Sequence, residues 1–154
     1  PGTMDFGDAR HPSISRILVS TWDSVVNGRS NWGIPKDRAD FEVEQGLDGG
    51  REDRVRVVSG GREVCELRLA TLRFAPSLPV PGGLLPARLR TLAQSFRGRT
   101  YYYAPAAGGR ARPGRLLSWR FDAALFPDLA AAPVLAAFKI ESFRMTFPVA
   151  DVTG

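Results

Sequence analysis

From Asp40 to Leu69 the chain alternates apolar and polar positions with a period of two. Phe41 and Val43 stand against Glu42 and Glu44, and Val55 and Val57 against Arg54 and Arg56. In the third run Cys65, Leu67 and Leu69 stand against Val64, Glu66 and Arg68. Leu47-Asp48-Gly49-Gly50 and Gly60-Gly61 separate the runs. A half-buried strand alternates in this way, and Gly-rich turns join antiparallel neighbours. The segment therefore predicts a three-stranded meander with one wet face and Cys65 turned to the core as a packing residue.

The flanking pattern is less regular. Ile14 to Thr21 (ISRILVST) predicts a strand, and Trp22 to Asn27 a single helical turn with Asp23 near its start. A loop punctuated by Gly28, Gly33 and Pro35 follows. Pro35 fixes its own φ and turns Ile34 away from helix, so Lys36 follows a stiff segment. Four prolines between Pro76 and Pro86 predict an extended connection. The spacing of Leu85, Leu89, Leu92 and Phe96 predicts an amphipathic helix over about 86–96. Tyr101 to Tyr103 predicts a strand, Ala106 to Gly114 a flexible loop, and Leu117, Trp119 and Phe121 the apolar side of another strand. Phe126 to Ala132 predicts a turn or short helix. Leu135 to Phe147 predicts a long last strand with a bulge near Ser142. Residues 1–13 are polar, with Gly and Pro, and predict a loop. The fold class is mainly β, or α+β at most. With no internal repeat, residues 1–154 are expected to form a single domain.

Composition narrows the chemistry. Of 154 residues, 44% are hydrophobic and 24% charged, the balance of a folded globule rather than a disordered chain. No run of 18 apolar residues occurs, so no membrane-spanning helix is expected. Cys65 is the only cysteine and His11 the only histidine, so no internal disulfide and no His/Cys zinc cluster can form. A reducing, cytoplasmic location is the expectation. Neither GxGxxG nor GxxxxGK[ST] is present, and no cofactor is expected.

Lysine is scarce: 19 of the 21 basic residues are Arg, and the two others are Lys36 and Lys139. Such a bias commonly follows from GC-rich coding sequence. It still leaves the two amines as the basic side chains that can shed a proton when buried and turn nucleophilic, which a guanidinium cannot do.

The segment from Val25 to Phe41, VVNGRSNWGIPKDRADF, resembles the signature region of the acetoacetate decarboxylase-like superfamily. Its members show a GR, a Trp or Phe shortly after, and a PK whose Lys reacts. Here these are Gly28-Arg29, Trp32 and Pro35-Lys36. The resemblance extends into the strand before the motif, the meander after it and the unit from Leu125 to Phe147. It implies an antiparallel, closed, cone-like β-barrel with one or two short helices and a deep apolar cavity with the lysine at its base. It implies further that Lys36 forms a Schiff base with a small β-keto acid or ketone, leading to decarboxylation or an aldol or dehydratase-like step. Arg29, Trp32 and Glu141 are then the candidate substrate-binding residues.

A lysine must be neutral to attack a carbonyl, and its ordinary pKa near 10.4 keeps it protonated. Desolvation has to lower that value. Two departures from the family pattern bear on this. The classical decarboxylases carry PKK, whereas here Asp37 follows Lys36, and a carboxylate beside the amine would favour the ammonium. Family members also carry several dozen residues before the motif, including an acid that reaches the pocket. The chain starts at Pro1 and is expected to lack that part; Glu141 is the residue that would stand in for the acid.

Charge offers a competing reading. Net charge is +5, and between Leu67 and Phe121 ten arginines occur with no Asp or Glu, interleaved with Phe96, Tyr101 to Tyr103 and Trp119. Basic residues among aromatics can make a nucleic-acid surface. No recognisable nucleic-acid module accompanies them, and outer-face arginines are the simpler expectation. The expected partner is a small keto acid or ketone, with homo-oligomerisation open, and neither membrane nor nucleic acid is expected. The alternatives are a non-catalytic relative that binds a small hydrophobic ligand and, from another class, a basic nucleic-acid-binding barrel.

Overall fold

The computed structural model describes residues 2–7, 9–72, 74–81, 90–126 and 132–154. The chain divides into two compact units that interleave along the sequence. Unit 1 comprises Pro1–Arg38, Pro81–Gly108 and Arg144–Gly154, and unit 2 comprises Ala39–Val80 and Gly109–Phe143.

Unit 1 opens with strands β1 (Gly2–Asp5) and β2 (Arg10–Ser13), paired antiparallel. The loop expected over residues 1–13 is thus a hairpin, bent where the Asp5 carboxylate accepts from the Gly7 N–H at 2.8 Å. Strand β3 (Ile17–Val19) is shorter than the run Ile14 to Thr21 suggested. It leads into helix α1 (Trp22–Trp32) and then β4 (Lys36–Arg38), which pairs in parallel with β3, Ile17 opposite Lys36.

The signature segment is therefore one β-α-β crossover, and the single helical turn expected at Trp22 to Asn27 is a helix of 11 residues. Its ends follow from sequence. The Thr21 side chain caps the start by accepting from the Ser24 N–H at 3.2 Å. Gly33, with φ +63°, ends it in the left-handed conformation. The Gly33 N–H bonds the Arg29 carbonyl and the Ile34 N–H bonds the Gly28 carbonyl, both at 3.1 Å.

A three-stranded sheet completes unit 1, with β9 (Leu92–Phe96), β10 (Arg99–Tyr103) and β11 (Asp151–Thr153) in the order β11-β10-β9. Leu92 and Phe96 thus lie in a strand, not in the helix expected over 86–96; residues 86–89 of that expectation fall outside the described part. Arg97 and Gly98, with φ +53° and +76°, make the two-residue turn that overrides the helical spacing. The core of unit 1 is Ile34, Tyr101 and Tyr103, with Ile14, Ile17, Trp32, Leu92, Phe96 and Phe147 packed around them.

Unit 2 is built on one six-stranded sheet. Strands β5 (Asp40–Gly46), β6 (Glu52–Ser59) and β7 (Arg62–Thr71) form the expected meander. Gly60 and Gly61 (φ +59° and +75°) close the second hairpin in the paired left-handed turn that matches strand twist. The sheet continues through β12 (Ala106–Phe121) to β13 (Ala137–Thr146), and β8 (Leu78–Pro81) pairs with β12. The flexible loop expected over Ala106 to Gly114 is therefore the first half of a long strand. The strand expected over Leu135 to Phe147 runs from Ala137 to Thr146, and Ser142 within it has φ +52°, where a bulge was expected. Of the turn or short helix expected over Phe126 to Ala132, residues 127–131 lie outside the described part. Among the described residues the strand orders are open paths, so the fold is mostly β without the closed barrel that the resemblance implied. No helix among them is long and apolar enough to cross a membrane.

Register sorts the faces of the unit 2 sheet. Phe41-Val57-Cys65-Phe121 and Val43-Val55-Leu67-Trp119 form apolar rows across it, and Glu42-Arg56-Glu66-Arg120 forms a charged row on the other side. Two bulges correct the simple alternation. Val64 is skipped where Val57 pairs with Cys65 and Val58 with Glu63, and this extra residue is 1% exposed instead of wet. Leu117 is skipped in the same way, which moves Leu116 onto the apolar side opposite Leu69. Cys65 is buried as expected, and burial, helped by the nearby Glu63 and Glu66 carboxylates, pushes its thiol pKa up.

Candidate functional site

Lys36 is the first residue of β4, held against β3 on one side and α1 on another. Its stem lies across the helix backbone at Gly28. A Cβ built on Gly28 would stand 2.3 Å from Lys36 Cδ and 2.6 Å from Cε. Glycine inside a helix costs about 1 kcal/mol relative to alanine, and here the missing side chain is the groove in which the lysine lies. Lys36 Nζ donates to Ser24 Oγ at 3.3 Å and lies 5.9 Å from the centroid of the Phe147 ring. Partial burial lowers the Lys36 pKa from the ordinary lysine value.

Asp37 does not oppose that shift by pairing with the amine. Successive side chains in a strand diverge, and the Asp37 carboxylate faces arginine: Arg29 Nη2 at 2.8 Å and Arg16 Nε at 3.5 Å. Among the described residues no carboxylate lies within ion-pair distance of Lys36 Nζ. Arg29 also donates from Nε to the Lys36 carbonyl at 2.9 Å. It therefore braces both residues of the Lys36-Asp37 pair, with its guanidinium occupied by a carboxylate of the chain itself.

Trp32, the last residue of α1, packs its ring 5.2 Å from Phe147 and donates from Nε1 to the Pro148 carbonyl at 2.7 Å. It helps line a cavity of about 490 Å³ with Tyr101, Phe147, Val149, Ala150 and Arg99 among its walls. Lys36 does not line this cavity, in contrast to the lysine expected at the base of an apolar hollow; Phe147 is the residue that touches both. Tyr103 packs against the other side of this aromatic group, 6.0 Å from Phe147. Its hydroxyl is buried near Gln94, and burial, partly offset by that amide, pushes its pKa up to about 12.

The site residues thus divide. Lys36, Arg29 and Trp32 come together in unit 1, joined by Ser24, Gly28 and Phe147, which the sequence reading did not assign to the site. Only Gly28 carried a signal, as part of the GR pair. Glu141 belongs to unit 2, where the Ser77 hydroxyl and the Arg112 guanidinium (3.3 Å), with Lys139 farther off, hold its carboxyl below the usual range. Among the described residues no group of three or more His, Cys, Asp or Glu side chains is placed to hold a metal ion.

Part of the basic stretch is paired within the chain. Arg68 pairs with Glu52 at 2.7 Å, Arg120 with Glu66 at 2.6 Å, and Arg112 with Glu141. Arg90 donates to the Pro105 carbonyl at 2.7 Å, and Arg110 donates to that of Ser77. Arg73 and Arg88 lie outside the described part.

No model of a known protein family matches the chain, and no curated protein matches it. Among solved structures it is similar to the enduracididine biosynthesis enzyme MppR, in its complexes with pyruvate and with the condensation product of pyruvate and imidazole 4-carboxaldehyde. In both cases identity is 16%, the TM-score is 0.50, and the match covers 97% of this chain and 60% of that one. The present chain therefore spans about three fifths of the length of the enzyme whose fold it shares in part.

Proposed function

We propose that this chain is a Schiff-base-forming enzyme, or a portion of one, that acts on a small β-keto acid or ketone through Lys36. Two things support the reading: MppR, similar in fold, is an enduracididine biosynthesis enzyme complexed with pyruvate, and the GR-x-x-W-G-x-P-K motif resembles that of the acetoacetate decarboxylase-like superfamily. One observation carries the reading. The Lys36 amine is partly withdrawn from water, while the neighbouring carboxylate is taken by two arginines.

The chemistry follows from a free amine. Nζ adds to the substrate carbonyl, and loss of water leaves an iminium. That cation draws the bonding pair of the adjacent C–C bond as CO₂ departs, or stabilises the enamine of an aldol or dehydration step. Protonation of the enamine and hydrolysis return the amine. Ser24 Oγ orients Nζ, Gly28 admits the stem, and Arg29 fixes the backbone from which the side chain springs. Trp32 stays a candidate for the substrate wall through Phe147.

A second reading is favoured by the placement of the 490 Å³ cavity, which Lys36 does not line. The chain would then bind a small apolar ligand at Trp32, Tyr101 and Phe147 without chemistry at the lysine.

Borohydride reduction in the presence of pyruvate or acetoacetate separates the two. The enzymatic reading expects a mass adduct on the peptide that carries Lys36, lost in Lys36→Ala and kept in Lys139→Arg. No adduct across about pH 6–9, or one that survives Lys36→Ala, would overturn it.

A further inference from the structure

The apolar face of the unit 2 sheet holds a second hollow, of about 440 Å³, with its own lysine. Its walls include Val43, Val55, Leu67, Leu69, Leu116 and Ile140, drawn from β5, β6, β7, β12 and β13. Val43 and Ile140 are 56% and 53% exposed, so the hollow is open to solvent with apolar side chains in water, an arrangement that marks binding surfaces.

One polar pair interrupts the lining. Lys139 Nζ of β13 lies 2.6 Å from Asp53 Oδ2 of β6, both among the lining residues. Asp53 also accepts from the Gly46 N–H at 3.2 Å. Its charge is thus matched by Lys139 and its oxygens are engaged on both sides. An ammonium has three donors and no acceptor, so Lys139 retains N–H groups after it has met Asp53.

We propose that this hollow binds a small, uncharged, aliphatic molecule with a hydrogen-bond-accepting carbonyl, such as a medium-chain ester, amide or ketone. The walls take the chain and Lys139 Nζ donates to the carbonyl oxygen. A free carboxylate fits less well, because a second anion beside Asp53 would leave a net negative charge against apolar walls. Size agrees. A water occupies about 30 Å³ and a methylene about as much, so ten or so heavy atoms fill the hollow with slack. The site does not depend on Lys36.

Methyl octanoate and octanoate share a chain and differ in charge, and neither forms an imine. Calorimetric titration of the whole chain is expected to show methyl octanoate binding about tenfold more tightly than octanoate. Leu67→Trp, which fills the hollow, is expected to abolish binding. The paired change Lys139→Met with Asp53→Asn, which replaces the ion pair without stranding either charge, is expected to weaken the ester about tenfold and leave octane binding unchanged. Lys36→Ala is expected to leave all these affinities as they were, so failure here is separable from failure of the imine reading. Equal or tighter binding of octanoate, no binding of either probe, or binding that survives Leu67→Trp would overturn the proposal.

Discussion

Each unit contains one lysine, and the two stand in opposite surroundings. Lys139 in unit 2 meets Asp53 at 2.6 Å within a sheet whose charged face is tied row by row: Arg56 to Glu42 and Glu63, Arg54 to Glu44, Arg120 to Glu63 and Glu66. Lys36 in unit 1 sits beside an aspartate and does not pair with it, because Arg29 and Arg16 hold that carboxylate. In a chain that uses arginine almost throughout, the amine with no carboxylate at ion-pair distance among the described residues is the informative one. A guanidinium in its place would stay charged. Unit 2 spends its ion pairs on the sheet surface, whereas unit 1 uses them to keep a carboxylate away from a nitrogen.

The sharpest way to break this contrast is to exchange the lysines' roles. Lys36→Ala is expected to remove the trapped keto-acid adduct entirely, and Lys139→Arg to leave it at full yield, both read by intact mass. An adduct that moves to Lys139 would erase the distinction.

Next in size is the packing that supports the site. Ile34 is fully buried between Gly33 and Pro35 and packs with Tyr101 and Tyr103. Ile34→Ala is expected to cost about 3 kcal/mol by urea denaturation. By contrast Arg56→Ala, on the exposed charged face of unit 2, is expected to cost far less, an effect that shrinks in high salt.

Gly28→Ala divides stability from chemistry. Ordinary helix propensity would favour alanine by about 1 kcal/mol. Here the added methyl meets the Lys36 stem, which must leave its groove. The expected outcome is an unchanged or raised melting temperature with adduct formation slowed at least about tenfold. Equal loss of stability and reactivity would mean that the groove serves packing alone.

Much of this was legible in the sequence, and the failures have physical reasons. The meander could be read because period-two alternation and Gly-Gly turns agree with each other, as they do from Phe41 to Leu69. The alternation misled only at Val64 and Leu117, where single-residue bulges shift the phase without a local signal. Ala106 to Gly114 read as a loop because of its glycines. Yet Gly114 permits close backbone approach: a Cβ there would stand 2.8 Å from the Ala70 carbonyl oxygen. Gly28 misled in the same manner, read as a helix breaker where it clears space for Lys36. The β9–β10 hairpin was hidden because its turn is Arg97-Gly98 rather than Asn-Gly, while Leu92 and Phe96 kept a helical spacing by coincidence. The motif singled out Lys36, but Ser24 and Phe147 reach it only through the crossover and the packing of the last segment. Periodicity could not place Glu141 relative to Lys36, since that depends on which unit each strand joins.

The account rests most directly on the protonation of one nitrogen, and two lysines make it measurable. In Lys139→Arg, reductive methylation with ¹³C-formaldehyde labels Lys36 as the remaining lysine, and its methyl resonance can be followed against pH. Burial penalises the charged form, so folded Lys36 is expected to titrate below the ordinary value near 10.4. The sign of the linked effect is fixed as well. Between the lowered folded value and the ordinary unfolded one, the unfolded chain binds more protons, so stability should rise with pH across that window. The same rise should be absent in Lys36→Met. A resonance that titrates at or above the ordinary lysine value, with no such rise in stability, would contradict the claim that this amine is prepared for carbonyl attack.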